Sequence, residues 1–190
     1  MAKIDQEYID KLKAKFQELD NARDEIINTS IKVTRLSKQV IYSVIRDDFE
    51  SAEKYIKEMK ELVEKLKEMI KKYPMYLNNA VGIQEYAEAM ILYYYLKENR
   101  IPTHEELGVD EISYVNGLMD FCGELLRKST EEMIKGNIDF ALKAKETIEE
   151  IYLKMLYMEF KNYELRRKVD YVSNVLNKLL EFIFYKTLRK

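Results

Sequence analysis

The sequence predicts an all-α protein, a bundle of six or seven helices in a single domain that covers residues 1–190. Apolar side chains recur three and four residues apart along nearly the whole chain, which is the spacing of helices buried on one face. Only 5 Gly and 2 Pro are present, too few for the many turns of a β fold. Lys and Glu dominate the 35% of charged residues and alternate at short spacing, which is typical of helix surfaces.

Caps and helix breakers divide the periodic pattern into six long segments. Asp47-Asp48 ends the first and caps the second, and Pro74 ends the second because proline cannot continue a helix. Thr103 caps a single turn in the clearest loop, which Gly108 closes, and Gly136 is a helix C-cap signal. We expect long helices over about residues 5–45, 49–73, 76–99, 110–135, 138–160 and 164–188, with a loop over 100–109.

Rare residue types exclude several classes of function. The chain has 1 His, 1 Cys and no Trp, so a disulfide framework, a Cys/His zinc site and an iron–sulfur cluster cannot form within it. His104 lies in the loop, and we expect Cys122 to be a small buried packing residue. Any chemistry must therefore use carboxylates. Without a signal peptide or an uncharged segment of about 18 residues, we expect a cytoplasmic protein that does not bind a membrane.

Four acids stand in two stretches that otherwise lack charge. Glu85 and Glu88 are the only charged residues between positions 73 and 96, where the average charge density would give about eight. Asp120 and Glu124 are likewise alone in the stretch around them. Spacings of three and four residues place each pair on one helix face. Because their neighbours are mainly small or apolar, these faces are expected to be packed.

Carboxylates on packed faces are costly unless a cation lies between them. Such hard oxygen ligands suit Mg²⁺, Mn²⁺ or Ca²⁺, and a Mg²⁺ ion can provide a nucleophilic water for phosphodiester hydrolysis. Two plainer interpretations remain open: Glu85 and Glu88 solvate one helix edge, or Arg127 and other basic side chains neutralise the acids. A ferritin-like di-iron site is excluded, because it requires Glu-x-x-His pairs.

Basic residues are segregated on the first helix although the net charge is −2. Four of them fall within an arc of roughly 120° in a stretch without acids: Lys32, Arg35, Lys38 and Arg46. This basic stripe would bind phosphates with a steep salt dependence, or it would pair with acids of a neighbouring helix. Arg127, one turn beyond Glu124, is placed to meet a phosphate near the acids. The Tyr93-Tyr94-Tyr95 run would either stack on bases or pack in the core.

Three segments carry a resemblance to a known family: residues 84–89 (QEYAEA), 114–127 (YVNGLMDFCGELLR) and 165–170 (LRRKVD). They resemble segments of the translin family, within it the translin-associated factor X branch, and the similarity extends from about residue 23 to the end. The resemblance implies an all-α fold of about seven helices, octameric shells and binding of single-stranded RNA or DNA. It also implies metal-dependent RNA cleavage by acids that fall here on Glu85, Glu88, Asp120 and Glu124.

The sequence is compatible with three functions. The leading hypothesis is a Mg²⁺- or Mn²⁺-dependent endoribonuclease that acts on single-stranded RNA. The second is a non-catalytic protein of translin type that binds single-stranded RNA or DNA, and the third is a helical scaffold with structural acids. The last helix carries more apolar residues than one stripe can bury, which predicts a homo-oligomer, an octamer or a dimer or tetramer that builds towards one. The alternative is a central position of this helix in the bundle.

Overall fold

The computed structural model describes residues 3–188, which form seven α-helices, one 3-10 helix and no β-strand. This architecture confirms the predicted all-α bundle. The elements in chain order are α1 (Gln6–Ile45), α2 (Phe49–Lys72), a 3-10 helix (Pro74–Asn79), α3 (Gly82–Glu98), α4 (His104–Leu107), α5 (Glu111–Ile134), α6 (Ile138–Tyr157) and α7 (Tyr163–Leu188).

The predicted caps form as hydrogen bonds, whereas two predicted boundaries were wrong. Asp48 caps α2 by accepting from the Ser51 backbone N–H, and Thr103 forms a capping box with Glu106. The third helix begins at Gly82 rather than near residue 76, because the preceding segment closes into the 3-10 helix. The fifth long helix, α6, ends at Tyr157 rather than near residue 160, where Glu159 adopts a left-handed φ of 47°.

Helix packing places α3 and α5 in the middle of the bundle. α1 packs against α2 and α3, α3 against α5, and α5 against both α6 and α7. The order α1–α3–α5–α7 therefore runs across the molecule, and α2 and α6 pack against its two ends. Since both predicted acid pairs lie on the two central helices, residues of α1 and α7 are the ones that can flank them.

The N-terminal part of α1 has no buried side chain. The side chains of this helix become buried only from Ile26 onwards, whereas Tyr8, Leu12 and Phe16 are exposed. Within residues 3–188, no helix has the length and apolar character needed to cross a membrane.

The tyrosine run and Cys122 belong to the hydrophobic core. Tyr93 is buried, and Tyr94 and Tyr95 are half-buried against core residues, which confirms packing rather than base stacking. Cys122 is fully buried, and burial raises the pKa of its thiol to about 12, so it is an unreactive packing residue as predicted.

Candidate nucleic-acid and metal-binding site

A close approach between α3 and α5 brings the two acid pairs together. It occurs at Gly117, where a Cβ atom would lie 2.8 Å from the Glu88 backbone nitrogen and 2.9 Å from the Gln84 carbonyl oxygen. Only glycine allows two helix backbones to pass this closely. Asp120, one turn along α5 from Gly117, therefore stands beside the acids of α3.

The four predicted acids share one electrostatic environment. Burial, together with the charges of Asp120, Glu85 and Glu124, raises the pKa of Glu88 to about 8. Burial also raises the pKa of Glu85 and of Glu124, and the Asp120 charge adds to the shift at Glu85. The Glu88 side chain is only 8% exposed, so its carboxyl is protonated at neutral pH while the cluster holds no metal.

Lys168 of α7 enters this cluster, a contact that was not predicted. Its ammonium pairs with Oδ2 of Asp120 and also donates to the Asn116 carbonyl at 3.3 Å. The amide of Gln84 donates to the same Asp120 oxygen at 2.7 Å. Lys168 lies in the LRRKVD segment, but no local pattern indicates that this part of α7 packs beside α5.

Tyr171, one turn after Lys168, also borders the acids. A Cβ atom at Gly123 would lie 2.1 Å from the Tyr171 hydroxyl, so the absence of a side chain on Gly123 makes room for the phenol. Burial, together with the charges of Asp120 and Glu88, raises the pKa of Tyr171 to about 12. The phenol therefore remains a neutral hydrogen-bonding group beside the carboxylates.

The acids fit a divalent cation by their chemistry, because four carboxylates are the donor set of a hard metal ion. The Lys168 ammonium on Asp120 marks the position as one that attracts a cation. As the side chains stand in residues 3–188, no three Asp, Glu, His or Cys residues converge closely enough to hold a metal. Asp120 is engaged by Lys168, and Glu124 lies 3.5 Å from the Arg127 guanidinium. Basic side chains thus neutralise part of the cluster, as one of the plainer interpretations expected.

The basic stripe on α1 is exposed, and none of its four residues forms an ion pair with another described residue. Pairing with acids of a neighbouring helix, the alternative interpretation, is therefore not observed within residues 3–188. Arg35 and Lys38 line a depression of about 510 Å³ together with Asn78 and Asn79 of the 3-10 helix. Lys38 is also close enough to Glu85 to lower its pKa, so the stripe borders the acids.

Arg46 and Arg127 meet at a single aromatic ring on the other side of the acids. Their guanidinium carbons lie 4.2 Å and 4.8 Å from the centroid of the Tyr42 ring, within cation–π range. Tyr42 itself is exposed. Two predicted nucleic-acid-binding residues that are far apart in the sequence are therefore held side by side by a tyrosine that no sequence pattern indicates.

A buried lysine fixes the end of α1 against α5 at this point. Lys128 is 3% exposed and donates to the Ile45 carbonyl at 2.8 Å and to the Asp47 carboxylate at 2.9 Å. Ile45 and Asp47 lie on either side of Arg46, and Lys128 directly follows Arg127. The contacts of Lys128 therefore hold the backbone at Arg46 close to the backbone at Arg127.

The geometry is that of a helical bundle whose two central helices carry four clustered carboxylates, with exposed cations on either side. The chain belongs to the translin family, whose family model matches residues 21–190. The match begins at residue 21, within the N-terminal part of α1 that has no buried side chain.

Several known proteins are similar to this chain. The crystal structure of apo-NeC3PO superposes with a TM-score of 0.91 at 52% identity and covers 98% of this chain and 100% of that one. AfC3PO in complex with duplex RNA gives a TM-score of 0.85 at 23% identity, over 96% of this chain and 98% of that one. The uncharacterised protein MJ0175 of Methanocaldococcus jannaschii is 28% identical over 165 residues, 84% of this chain and 73% of the relative.

Proposed function

We propose that this protein is a divalent-metal-dependent endoribonuclease that acts on single-stranded RNA. The observation that supports this function best is that surfaces of opposite charge adjoin each other: exposed cations border the acid cluster at both acid pairs. Lys38 of the basic stripe is close enough to Glu85 to lower its pKa, and Arg127 lies 3.5 Å from Glu124 of the other acid pair. A phosphate chain held by these cations would pass directly over the carboxylates.

The basic groups supply binding that does not depend on sequence. Arg35 and Lys38 flank the depression beside the 3-10 helix, and Arg46 and Arg127 form a second cationic position around Tyr42. Guanidinium groups bind phosphates in a bidentate manner, so this pair can hold one phosphate and fix the path of the chain.

Glu85, Glu88, Asp120 and Glu124 are the residues that would hold Mg²⁺ or Mn²⁺. When bound, the ion would supply a nucleophilic water and offset the negative charge on the phosphoryl oxygens. The chain's own contribution is to place four oxygen donors in a half-buried position between two cationic surfaces. Glu88 must release its proton before it can act as a ligand, because only a carboxylate binds the ion.

The similar proteins support a role with nucleic acid. AfC3PO has been crystallised with duplex RNA, and apo-NeC3PO shares 52% of its sequence with this chain over its whole length. We place the chain in the catalytic translin-associated factor X branch because all four acids of that branch are present.

Self-association, with a homo-octamer as the full assembly, is part of the proposal. α7 buries one face in the bundle, but its opposite side leaves Leu180, Phe184, Tyr185 and Leu188 between 42% and 65% exposed. Exposed apolar surface of this kind normally marks an interface. The alternative that α7 is wholly central does not account for these residues.

A cleavage assay with end-labelled single-stranded RNA tests the proposal. We expect Mg²⁺- or Mn²⁺-dependent products with 5′-phosphate and 3′-hydroxyl ends, and loss of cleavage in Asp120→Asn and Glu124→Ala. Glu111→Ala, which removes an exposed acid of the same helix, is the matched control and should cleave normally. Cleavage in excess chelator, or cyclic-phosphate products, would contradict the mechanism.

Binding measurements distinguish the nuclease from the non-catalytic alternative. Asp120→Asn should still bind RNA, since it removes a negative charge near the phosphates. Arg35→Ala combined with Lys38→Ala should weaken RNA binding and reduce its salt dependence, because two phosphate contacts are lost. If the wild type binds RNA but does not cleave it with either metal, the non-catalytic protein of translin type is favoured. Competition with duplex RNA shows whether the protein prefers single-stranded or double-stranded RNA.

A further inference from the structure

We propose that Lys168 is a built-in counter-ion of the acid cluster, one that a divalent cation displaces and that then becomes available to the RNA. The inference rests on the proposed metal site and adds a residue that sets its affinity. It concerns a side chain from α7, outside the four acids and outside the basic stripe.

The contacts of Lys168 place its charge where a metal would have to bind. Its ammonium pairs with Oδ2 of Asp120, the same oxygen that accepts from Gln84. No hydrogen bond from another described residue reaches the second oxygen of that carboxylate. Lys168 thus occupies one lone pair of a proposed metal ligand.

The same ammonium acts on the acids of α3. It lowers the pKa of both Glu85 and Glu88, against the upward effect of their burial. Lys38 from α1 also lowers the pKa of Glu85, and Arg127 does so for Glu124. Among these cations, Lys168 alone is paired with Asp120, the acid that raises the pKa of both α3 carboxylates.

A divalent ion and the ammonium cannot share Asp120 without strong repulsion, because their charges would stand a few ångströms apart in a partly buried site. Lys168 can leave, since its side chain is 26% exposed and a lysine stem is flexible. Once displaced, its ammonium remains at the edge of the site, within reach of a phosphate bound over the acids. Metal binding and RNA binding would therefore support each other through one side chain.

Calorimetric titration of Mn²⁺ into the full-length protein without RNA tests the exchange. We expect Lys168→Gln to bind Mn²⁺ at least about tenfold more tightly than the wild type, because the competing charge is gone. Lys168→Arg keeps the charge and should resemble the wild type, as should Lys178→Gln on the same helix. Lys168→Met, which keeps the apolar stem, provides the same comparison if the glutamine variant does not fold.

Fluorescence anisotropy with single-stranded RNA tests the second half of the inference. Mn²⁺ should increase the RNA affinity of the wild type, and this increase should be smaller in Lys168→Gln. Equal or weaker Mn²⁺ binding by Lys168→Gln would overturn the counter-ion role alone and leave the nuclease proposal standing. Absence of Mn²⁺ binding in both proteins would overturn the inference together with the proposed metal site.

Discussion

The backbone nitrogen of Glu88 lies 2.8 Å from the point where a Cβ atom at Gly117 would stand. This contact sets the distance between α3 and α5 at the level of the acid cluster. The neighbouring Cβ of Ala87 would lie 2.9 Å from the same point, so the approach involves both backbone and side chain. The geometry of the candidate site therefore depends on a residue without any functional group.

Gly117→Ala is expected to lower the free energy of unfolding by about 1–3 kcal/mol, since backbone atoms of α3 must move away. Gly123→Ala is the matched comparison on the same helix. There the added methyl group meets the hydroxyl of Tyr171, an exposed side chain that can swing aside, and the change should stay within about 1 kcal/mol of wild type. Urea denaturation measures both, and equal effects of the two substitutions would contradict the close-approach role of Gly117.

Glu88 should make the stability of the metal-free protein depend on pH. Its pKa rises from 4.5 to about 8 on folding, so the folded state keeps a proton that the unfolded state releases. The contribution of Glu88 to stability is therefore largest below about pH 4.5, falls by roughly 1.4 kcal/mol per pH unit towards pH 8 and levels off above it.

Glu88→Gln removes this dependence while preserving the shape of the side chain. Measured in chelator, the variant should gain stability relative to the wild type between pH 5 and pH 8.5, by a few kcal/mol in total. If the stability difference between Glu88→Gln and the wild type is the same at pH 5 and at pH 8.5, the pKa of Glu88 is not raised by folding. Glu111→Gln, an exposed acid of α5, serves as the control and should give no such trend.

Tyr42 is expected to contribute to RNA affinity by holding Arg46 and Arg127 together. Tyr42→Leu removes two cation–π contacts of about 0.5–1 kcal/mol each and should weaken RNA binding about threefold or more. Tyr42→Phe keeps the ring and should bind like the wild type. Anisotropy titrations at fixed salt make the comparison, and loss of affinity in the phenylalanine variant would assign the effect to the hydroxyl instead.

Charge on the exposed side of α7 should disrupt self-association. The wild type is expected to give a light-scattering mass several times 22.8 kDa at a few micromolar. Leu180→Glu with Phe184→Glu should reduce this mass at least by half, because buried charges are costly at an apolar interface. Lys57→Glu, which changes the charge of an exposed residue of α2, is the control and should leave the mass unchanged. A monomeric wild type that cleaves RNA would refute the interface.

Local patterns in the sequence are sufficient to predict the helices and the pairing of acids on each of the two central ones. Apolar spacing, caps such as Asp48 and Thr103, and the charge-free stretches around Glu85 and Asp120 are local signals, because residues three or four apart on a helix share a face. The start of α3 was not predicted correctly, since its first residue, Gly82, donates its backbone N–H to the hydroxyl of Ser30 in α1, a contact between residues far apart in the sequence.

The contacts between side chains of different helices could not be predicted from the sequence and are seen only in the folded chain. The pairing of Lys168 with Asp120 joins residues 48 positions apart, and Tyr42 joins Arg46, which follows α1, to Arg127 of α5. Such contacts depend on which helices become neighbours and how closely they approach, and neither is encoded in a local period. Gly117 has no side chain to mark its role, and its importance appears only where the α3 backbone passes over it.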